Sequence, residues 1–262
     1  MRVATFNLLH GRSPVDGEVD AHRLAAAVAA VDADVIGLQE VDRDQERSHG
    51  LDLAAIAAAA AGAATWRFEP ALIGTPGEKW RPAGDDEPAG TPAYGIALVS
   101  RRPVLRWLTL RLPAAPVRSP VLVAGPPRRV IMLLDDEPRI AIAAVVAGDA
   151  GPVTVAVTHL SFVPGWNVRQ LLSIRRGLRD LPHPRILLGD LNLPGRLPAA
   201  LTRWPGAVAA PTYPSAGPRV QLDHVLVEPG RLRPVGGGAL ALPLSDHCAV
   251  YADLQERTGM RG

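Results

Sequence analysis

Arg185-Ile-Leu-Leu-Gly-Asp-Leu-Asn-Leu-Pro194 is the stretch around which the fold of this chain is predicted. Its apolar run, residues 186–188, follows two prolines and predicts a strand buried on both faces. Asp190 and Asn192 come next with one residue between them, so in extended chain both side chains point to the same side at the strand end. A carboxylate beside a carboxamide suits a hard cation and an attacking water. For an isolated pair, a helix N-cap or an Asx-turn is the structural alternative.

The length and composition describe an ordinary globular protein. The chain has 262 residues, and we predict a single domain over residues 1–255 with a C-terminal tail over residues 256–262. Hydrophobic residues make up 47% and charged residues 21%, which is typical of a soluble domain. The net charge is only +2, and the arginine pairs at 101–102, 128–129 and 175–176 form no continuous basic stripe. This distribution gives little support for a nucleic-acid partner and favours solvated surface arginines.

The single cysteine and the absence of a long apolar run indicate in which cellular compartment the protein is expected. Cys248 has no second cysteine to pair with, so no internal disulfide is expected. The longest apolar run, residues 53–64, is interrupted by Gly62 and is too short to cross a bilayer. The start of the chain shows no apolar signal region. We therefore expect a cytoplasmic protein without a transmembrane segment; the sequence does not predict the oligomeric state.

Apolar periodicity predicts many short strands and three helices. Asp20 is expected to cap a helix with apolar positions over residues 24–31, Gly62 to end a helix over 51–61, and residues 168–181 to form a third. We expect the strand over 104–110 to pair with the strand over 94–100. The Gly- and Pro-rich segments 74–92 and 113–127 are predicted as surface loops, the first lying over a pocket, and residues 236–238 as a Gly loop. Pairing between near neighbours predicts mixed sheets.

Polar side chains stand at the ends of several apolar strand-like segments. Each alone has a structural explanation, as a turn residue, a strand cap or a hydrogen-bonded core histidine. Their repetition is the arrangement of a site built at the open ends of an α/β sheet. The residues are Asn7, Glu40, His159, Asp190 with Asn192, Asp223, and Asp246 with His247.

Six short motifs in this order resemble those of the endonuclease/exonuclease/phosphatase superfamily. They are Thr5-Phe-Asn-Leu-Leu9, Leu38-Gln-Glu-Val-Asp42, Thr158-His-Leu-Ser161, Gly189-Asp-Leu-Asn192, Leu222-Asp-His224 and Ser245-Asp-His247. The resemblance covers nearly the whole chain. It implies an α/β (α+β) fold, namely a four-layer α/β/β/α sandwich with two mixed, mainly antiparallel sheets. It also implies cleavage of a phosphate ester with Mg²⁺ or Mn²⁺.

The resemblance implies a metal site made of oxygen ligands. Glu40 would be the principal metal ligand, with Asn7 beside it and Asp246 close to the metal. Carboxylate and amide oxygens are the donors that Mg²⁺ prefers.

The resemblance also implies a set of catalytic residues. Asp190 would orient or deprotonate the attacking water with the help of Asn192. His247 would contact the scissile phosphate, held in orientation and tautomer by Asp223, and His159 would stabilise charge on the transition state. A histidine paired with a carboxylate supplies positive charge near neutral pH.

Further residues have both a functional and a structural interpretation. Tyr94 resembles a residue that reaches the phosphate in this superfamily, and a core tyrosine is the alternative. Arg12, Arg43 and Arg47 lie near the site segments and are candidates for substrate binding, with surface positions as the alternative. Leu9 stands where some nucleases of the superfamily carry an acidic residue, which argues against the abasic-site endonuclease subtype.

The substrate class stays open between a small molecule, a lipid headgroup and nucleic acid. With three Phe and three Tyr in the chain, little material for base stacking is available. The low net charge and the scarcity of aromatics favour a small or non-duplex phosphodiester. The rival interpretation is a catalytically silent member that serves as a binding or scaffold module. A hydrolase with a Ser or Cys nucleophile is disfavoured, since no Gly-x-Ser-x-Gly elbow occurs.

Overall fold

Fourteen strands, four α-helices and two short 3-10 helices are the regular elements in the part of the chain that the structure describes. A computed structural model describes residues 1–125 and 128–257, with side chains described outside residues 120–132. The helices are α1 Ala21–Val31, α2 Leu53–Ala61, α3 Trp166–Gly177 and α4 Leu197–Thr202. The strands are β1 Arg2–Asn7, β2 Val35–Arg43, β3 Thr65–Gly74, β4 Trp80–Pro82, β5 Ala93–Ser100, β6 Val104–Leu112, β7 Ser119–Gly125, β8 Arg128–Leu134, β9 Arg139–Gly148, β10 Gly151–His159, β11 Arg185–Asp190, β12 Asp223–Val227, β13 Leu232–Leu240 and β14 Ala249–Glu256.

Two mixed sheets form the centre of the molecule. The first sheet has the strand order β13-β14-β1-β2-β5-β3-β4, and the second has the order β12-β11-β10-β9-β6. Each contains one parallel pair, β1 with β2 and β10 with β11, and all their other pairs are antiparallel. Helix α1 connects the first parallel pair and α3 the second, because a parallel connection needs a long crossover. The strands β7 and β8 pair with each other in a separate ribbon.

The two sheets pack face to face, and the helices cover their outer faces. The core between the sheets includes Val3, Ile142, Val155 and Ile186, each at most 2% exposed. A second cluster joins α1 and α2 to the first sheet, and a third joins α3 and α4 to the second. This layering confirms the predicted α/β/β/α sandwich.

The local signals at the first two helices are also confirmed. Asp20 caps α1 by accepting a hydrogen bond from the backbone N of Arg23 at 2.6 Å. Gly62 ends α2 with a positive φ of 62°, a conformation that glycine adopts without a Cβ clash. The third predicted helix is shorter than expected, since α3 ends at Gly177.

Several strand predictions need correction. Strand β6 pairs with β9 and not with β5, because β5 lies between β2 and β3 and both of its edges are occupied. The predicted loop 74–92 contains β4, and the predicted excursion 113–127 contains β7, with residues 126–127 outside the described residues. The glycines at 236–238 lie within β13, paired with β14, so they are not a loop.

The C-terminal strand reaches slightly beyond the predicted end of the domain. Strand β14 runs to Glu256 and pairs with β1, with Arg2 opposite Asp253. The guanidinium of Arg2 also binds the Asp253 carboxylate at 2.8 Å. The rest of the predicted tail, residues 258–262, lies outside the described residues. Among the helices of the described ranges, none has the length and apolar character needed to cross a membrane.

Candidate active site

Three predicted site residues lie side by side on adjacent strands of the second sheet, at the same end of these strands. His159, the last residue of β10, pairs in register with Asp190, the last residue of β11. Asp190 in turn lies opposite Asp223, the first residue of the antiparallel β12. Gly189 permits this approach, since a Cβ there would lie 2.0 Å from the carbonyl oxygen of Thr158. The parallel pairing therefore places the Asp190 carboxylate beside the His159 ring.

Glu40 reaches the same place from the first sheet by a route that the sequence did not predict. It lies inside β2 and not at its end, at a β-bulge between Leu38 and Val41, with a φ of 53°. A bulge redirects the side chain out of the regular alternation. Glu40 Oε1 accepts a hydrogen bond from Asn7 Nδ2 at 3.0 Å, and the same Nδ2 lies 3.2 Å from Asp190 Oδ2. Asn7 thus connects the carboxylates of the two sheets.

Asp190 and Asn192 form the Asx-turn that was the structural alternative, and they face the site as well. The backbone N of Asn192 donates to Asp190 Oδ1 at 3.0 Å. The other oxygen, Oδ2, lies 3.5 Å from His159 Nε2 and 3.8 Å from His247 Nε2. Burial raises the pKa of Asp190 to about 6, although the positive charge of His247 opposes the shift. The turn therefore fixes one oxygen and leaves the other towards the two histidines.

His247 and Asp223 form a buried hydrogen-bonded pair. His247 Nδ1 lies 2.9 Å from Asp223 Oδ2. Burial by itself lowers the pKa of His247, but the carboxylates of Asp223 and Asp190 more than compensate and raise it to about 10. The imidazole is therefore a cation at neutral pH, with Nε2 directed towards Asp190.

His159 is held in the opposite protonation state. It is buried, and its pKa lies well below the usual range because of burial, the Arg139 guanidinium and His247. Arg139 Nη1 lies 3.2 Å from His159 Nδ1. A guanidinium can only donate, so Nδ1 accepts and the proton of the neutral ring is on Nε2. The two histidines at the site thus differ, one being a cation and the other a neutral donor.

The carboxylates and His247 provide donors for a metal ion. Asp190, Asp223 and His247 each place one ligand atom within 4.8 Å of the others, so this buried group could hold a cation. Its drawback is that His247, protonated at neutral pH, has no free lone pair for a metal, and that its Nδ1 is already bonded to Asp223 Oδ2. Burial raises the pKa of Glu40 to about 7, and the carboxylates of Asp246 and Asp190 add to the shift. A cation beside Glu40 would relieve this repulsion, and the oxygen donors there fit Mg²⁺ or Mn²⁺.

These groups open into a cavity of about 420 Å³. The predicted residues in its lining are Glu40, Tyr94, His159, Asp190, Asn192, Asp246 and His247. Asn7 and Asp223 are fully buried and contact the lining residues from behind. Tyr94 is both a buried residue and part of this wall, and burial raises the pKa of its phenol well above the usual value.

Sequence reasoning missed part of the lining. Arg139, Glu137, Phe162 and Tyr213 also line the cavity. Arg139 is 5% exposed and begins β9, but an arginine is seldom fully buried, so its sequence position did not indicate a place in this wall. The ring of Tyr213 lies 4.8 Å from that of His247, in a loop without an apolar pattern to mark it. The contact between the buried Arg139 and the buried His159 marks Arg139 as a site residue, and this contact becomes visible only when β9 is paired with β10.

The three predicted substrate-binding arginines do not line this cavity. Arg12 Nε donates to the carbonyl oxygen of Gly17 at 3.3 Å. The Arg43 guanidinium stacks 4.6 Å from the Phe68 ring centroid. Arg47 binds both carboxylate oxygens of Asp42 at 2.8 Å and lies behind Tyr94, 5.5 Å from its ring centroid.

The segment 74–92, expected to lie over a pocket, contributes no residue to the lining of this cavity. Its residues Trp80, Pro82 and Ala83 line a neighbouring cavity of about 400 Å³, which shares Arg139 with this one. Strand β4 of the segment continues the first sheet beyond β3, at the far edge of that sheet. Among the residues whose side chains are described, Leu134, the last residue of β8, and Glu137, which follows the β7–β8 ribbon in the chain, line the cavity.

A family model described as "Endonuclease/Exonuclease/phosphatase family" matches residues 4–247 of the chain. The match begins before Asn7 and ends at His247, so it includes every residue placed around the cavity. A search of curated protein sequences gave no match.

Solved structures with the same fold cover almost the whole chain. An endonuclease/exonuclease/phosphatase from Beutenbergia cavernae is 24% identical with a TM-score of 0.66, covering 98% of this chain and 71% of that one. A mannosyl-6-phosphatase of Bacteroides thetaiotaomicron is 16% identical with a TM-score of 0.61, covering 97% and 99%. The human nocturnin catalytic domain, solved with bound sulfate, is 18% identical with a TM-score of 0.61, covering 98% and 94%. At these identities the likeness concerns the fold.

Proposed function

Because the chain belongs to the endonuclease/exonuclease/phosphatase family, we propose that this cavity hydrolyses a phosphoester, preferably a phosphodiester, with a divalent metal ion. The observation that carries the proposal is the convergence of Glu40, Asp190 and a cationic His247 on one cavity. Buried carboxylates and a buried imidazolium are costly unless they act on each other or on a ligand. A metal ion would bind the negative carboxylates, and a phosphate would bind the positive His247.

We assign the metal to Glu40, with Asn7 and Asp246 beside it. Burial is the main cause of the raised pKa of Glu40, and the carboxylates of Asp246 and Asp190 add to it. A divalent ion bound there supplies positive charge to the phosphate oxygens. Asn7 keeps Glu40 oriented through its 3.0 Å hydrogen bond. Mg²⁺ and Mn²⁺ both accept such oxygen donors.

Asp190 has the position and the pKa of a general base for water. Its Oδ1 is fixed by the backbone N of Asn192, and its Oδ2 is the oxygen nearer to both site histidines. With a pKa raised to about 6, the carboxylate is ionised at neutral pH and still close enough in pKa to accept a proton. Asn192, whose side chain is held by the carbonyl oxygen of Leu160 at 2.9 Å, completes the water-binding side.

The positive charge comes from His247, and His159 adds a neutral hydrogen-bond donor. His247, kept protonated and oriented by Asp223, provides a cationic donor for the phosphate. His159, kept neutral with its proton on Nε2, provides a second donor, and the un-ionised phenol of Tyr94 lies in the same wall. Donors fixed before the reaction stabilise the charge that develops on the phosphate oxygens.

The size of the cavity favours a small substrate. A volume of about 420 Å³ lies within the range of small-molecule pockets, roughly 300–1,000 Å³. Arg139 is the one arginine in its described lining, and its guanidinium is engaged by His159. A duplex would need an extended basic surface instead. We therefore favour a small phosphodiester, free or as a lipid headgroup, over duplex nucleic acid.

A direct test is hydrolysis of bis(4-nitrophenyl) phosphate with Mg²⁺, with Mn²⁺ and with EDTA, next to the monoester 4-nitrophenyl phosphate. We expect turnover with either metal, none in EDTA, and faster cleavage of the diester. Metal-independent turnover would contradict the assignment. Faster cleavage of the monoester would agree with a phosphoester hydrolase but would contradict the preference for a diester.

The rival function is a catalytically silent member that binds a partner through the same fold. It differs from the proposal in one readout. A silent module gives no turnover with the panel of diesters, monoesters, lipids and oligonucleotides, even where calorimetry shows that the folded protein binds Mg²⁺ or Mn²⁺. Glu40, Asp190 and His247 are all in place, which favours the enzyme.

A further inference from the structure

A second cavity, of about 640 Å³, is lined mainly by arginines. It lies where α3 ends, next to the first residue of β11 and the residue that follows β12. The five arginines in its wall are Arg175, Arg176, Arg179, Arg185 and Arg203, and Glu228 is the one acidic residue there. None of the proposed catalytic residues contributes to it.

Four of these arginines project from the surface without partners. Arg175, Arg176, Arg179 and Arg203 are exposed and make no ion pair or side-chain hydrogen bond with the residues that the structure describes. Elsewhere in the described part, exposed arginines often bind carboxylates, as Arg111 binds Asp85 at 2.8 Å. The cluster therefore keeps its donors free.

The fifth arginine fixes the floor of the cavity. Arg185 is 7% exposed, and its Nε donates to the carbonyl oxygen of Leu181 at 3.0 Å. Its Nη1 binds Glu228 at 3.2 Å, and its Nη2 donates to the carbonyl oxygen of Arg179. These bonds tie the turn after α3 to the ends of β11 and β12. The turn that carries Arg179 is thus held in place before any ligand arrives.

The helix ends offset only part of this charge. Arg175 and Arg176 lie in the last turn of α3 and Arg203 directly follows α4, where arginines are expected for a structural reason. A helix C-terminus carries at most about half a negative charge. The five arginines and Glu228 give a formal charge of +4, so about +3 remains after both helix ends are counted. Like charges that line one cavity repel one another, and an anion would relieve the repulsion.

This cavity is separate from the catalytic one. Arg185 and Asp190 are the first and last residues of the six-residue β11. At about 3.3 Å per residue, the two ends are roughly 16 Å apart. One phosphate group cannot occupy both places.

We propose that the cavity formed by Arg175, Arg176, Arg179, Arg185 and Arg203 is a binding site for an anion with two or more linked phosphate groups. Guanidinium forks bind phosphate oxygens in pairs, and a single phosphate would leave most of the positive charge uncompensated. The volume suits a short oligophosphate. The assignment does not depend on the activity of the other cavity.

Calorimetric titration with inorganic tripolyphosphate, in EDTA and at low salt, tests the assignment on the whole chain. We expect one-to-one binding that weakens with salt, and binding of inorganic phosphate at least tenfold weaker. The Arg175→Ala/Arg179→Ala variant should bind tripolyphosphate more weakly, with a Kd at least tenfold higher than that of the wild type. The matched control is Arg106→Ala/Arg233→Ala, which removes the same charge at exposed positions on β6 and β13 and should bind as the wild type does.

Equal loss in both double variants would overturn the site, as would no binding by the wild type or equal binding of inorganic phosphate. The Asp190→Ala variant separates the two cavities. It should bind tripolyphosphate with the wild-type Kd, and tighter binding there, as expected when a carboxylate is removed from the anion's own site, would place the anion in the catalytic cavity instead. Because the titration measures no turnover, its result is independent of the proposed hydrolysis.

Discussion

At the scale of single residues, Glu40, Asp190 and His247 share one property. Each has a pKa raised above that of the free side chain, to about 7, 6 and 10 respectively. A group that holds its proton more tightly in the folded state stabilises the fold while it is protonated. That contribution is complete below the unfolded pKa and is lost as the pH rises through the folded pKa.

Glu40 gives the clearest pH prediction. Its pKa rises from 4.5 to about 7, chiefly through burial, so the metal-free protein should lose stability as the pH rises from 4.5 to 7. Glu40→Gln removes the titrating group and should flatten this part of the curve. Urea unfolding in EDTA at a series of pH values measures it. If stability depends on pH in the same way in the two proteins, the pKa of Glu40 is not raised in the folded state.

Arg139 is predicted to act through His159. Arg139→Gln removes the charged donor to Nδ1 and should lower kcat about 10- to 100-fold, the equivalent of 1.5–3 kcal/mol for a hydrogen bond to a charged group. Arg139→Lys should recover part of the loss, since a charged donor remains. Arg111→Ala, an exposed position, is the control for general effects of losing an arginine. If metal affinity falls while kcat is kept, the role assigned to Arg139 is wrong.

The sequence predicts the main residues of the site better than it predicts the residues that contact them. His159, Asp190 and Asp223 could be found because each begins or ends an apolar strand. Arg139 could not, because its contact with His159 arises from the pairing of β9 with β10, twenty residues apart in the chain. Tyr213 was missed for the same kind of reason, since a loop residue has no periodicity to place it.

At the scale of elements, the site depends on two irregularities in otherwise regular strands. One is the bulge of β2 at Glu40, and the other is the close contact of β10 and β11 at Gly189. The sequence predicted both strands but not the bulge, because a bulge shows itself only as a shift of register between partners. It placed Glu40 at a strand end, where the regular pattern would have it.

Gly189→Ala tests the close contact. Its φ is +152°, and the new Cβ would lie 2.0 Å from the Thr158 carbonyl oxygen, so β10 and β11 must separate. We expect a loss of about 1–3 kcal/mol in the free energy of unfolding, with a larger relative loss of kcat because Asp190 follows directly. Gly230→Ala is the control, since nothing lies within 4 Å of the Cβ it would gain. Equal stabilities of the two variants would contradict the account.

At the scale of the whole molecule, the sandwich brings together polar side chains from two sheets. The first sheet contributes Asn7 and Glu40 and the second His159, Asp190 and Asp223. The order of motifs along the chain predicted this architecture, but pairing partners such as β6 with β9 depend on which sheet edges are free. Glu40 and Asp190 meet in the cavity as carboxylates, and a bound cation would offset the repulsion between them.

Metal binding should therefore stabilise the whole fold. At 100 times its Kd, a ligand of the folded state adds about 2.7 kcal/mol, which corresponds to a rise of roughly 5–10 °C in Tm for a chain of this size. We expect this rise with Mg²⁺ or Mn²⁺ in the wild type and a much smaller one in Glu40→Gln. NaCl at matched ionic strength is the control. The same rise in both proteins would place the metal away from Glu40.

The central claim, that this cavity is the site of hydrolysis, is tested most directly by the kcat of Asp190→Ala for bis(4-nitrophenyl) phosphate in Mg²⁺. The comparison is with the wild type and with Asp86→Ala, which removes an exposed carboxylate that is not part of the cavity lining. Loss of a general base should lower kcat about 100- to 10,000-fold in Asp190→Ala, with no change in Asp86→Ala. A folded Asp190→Ala protein that turns over the diester at the wild-type rate would contradict the account.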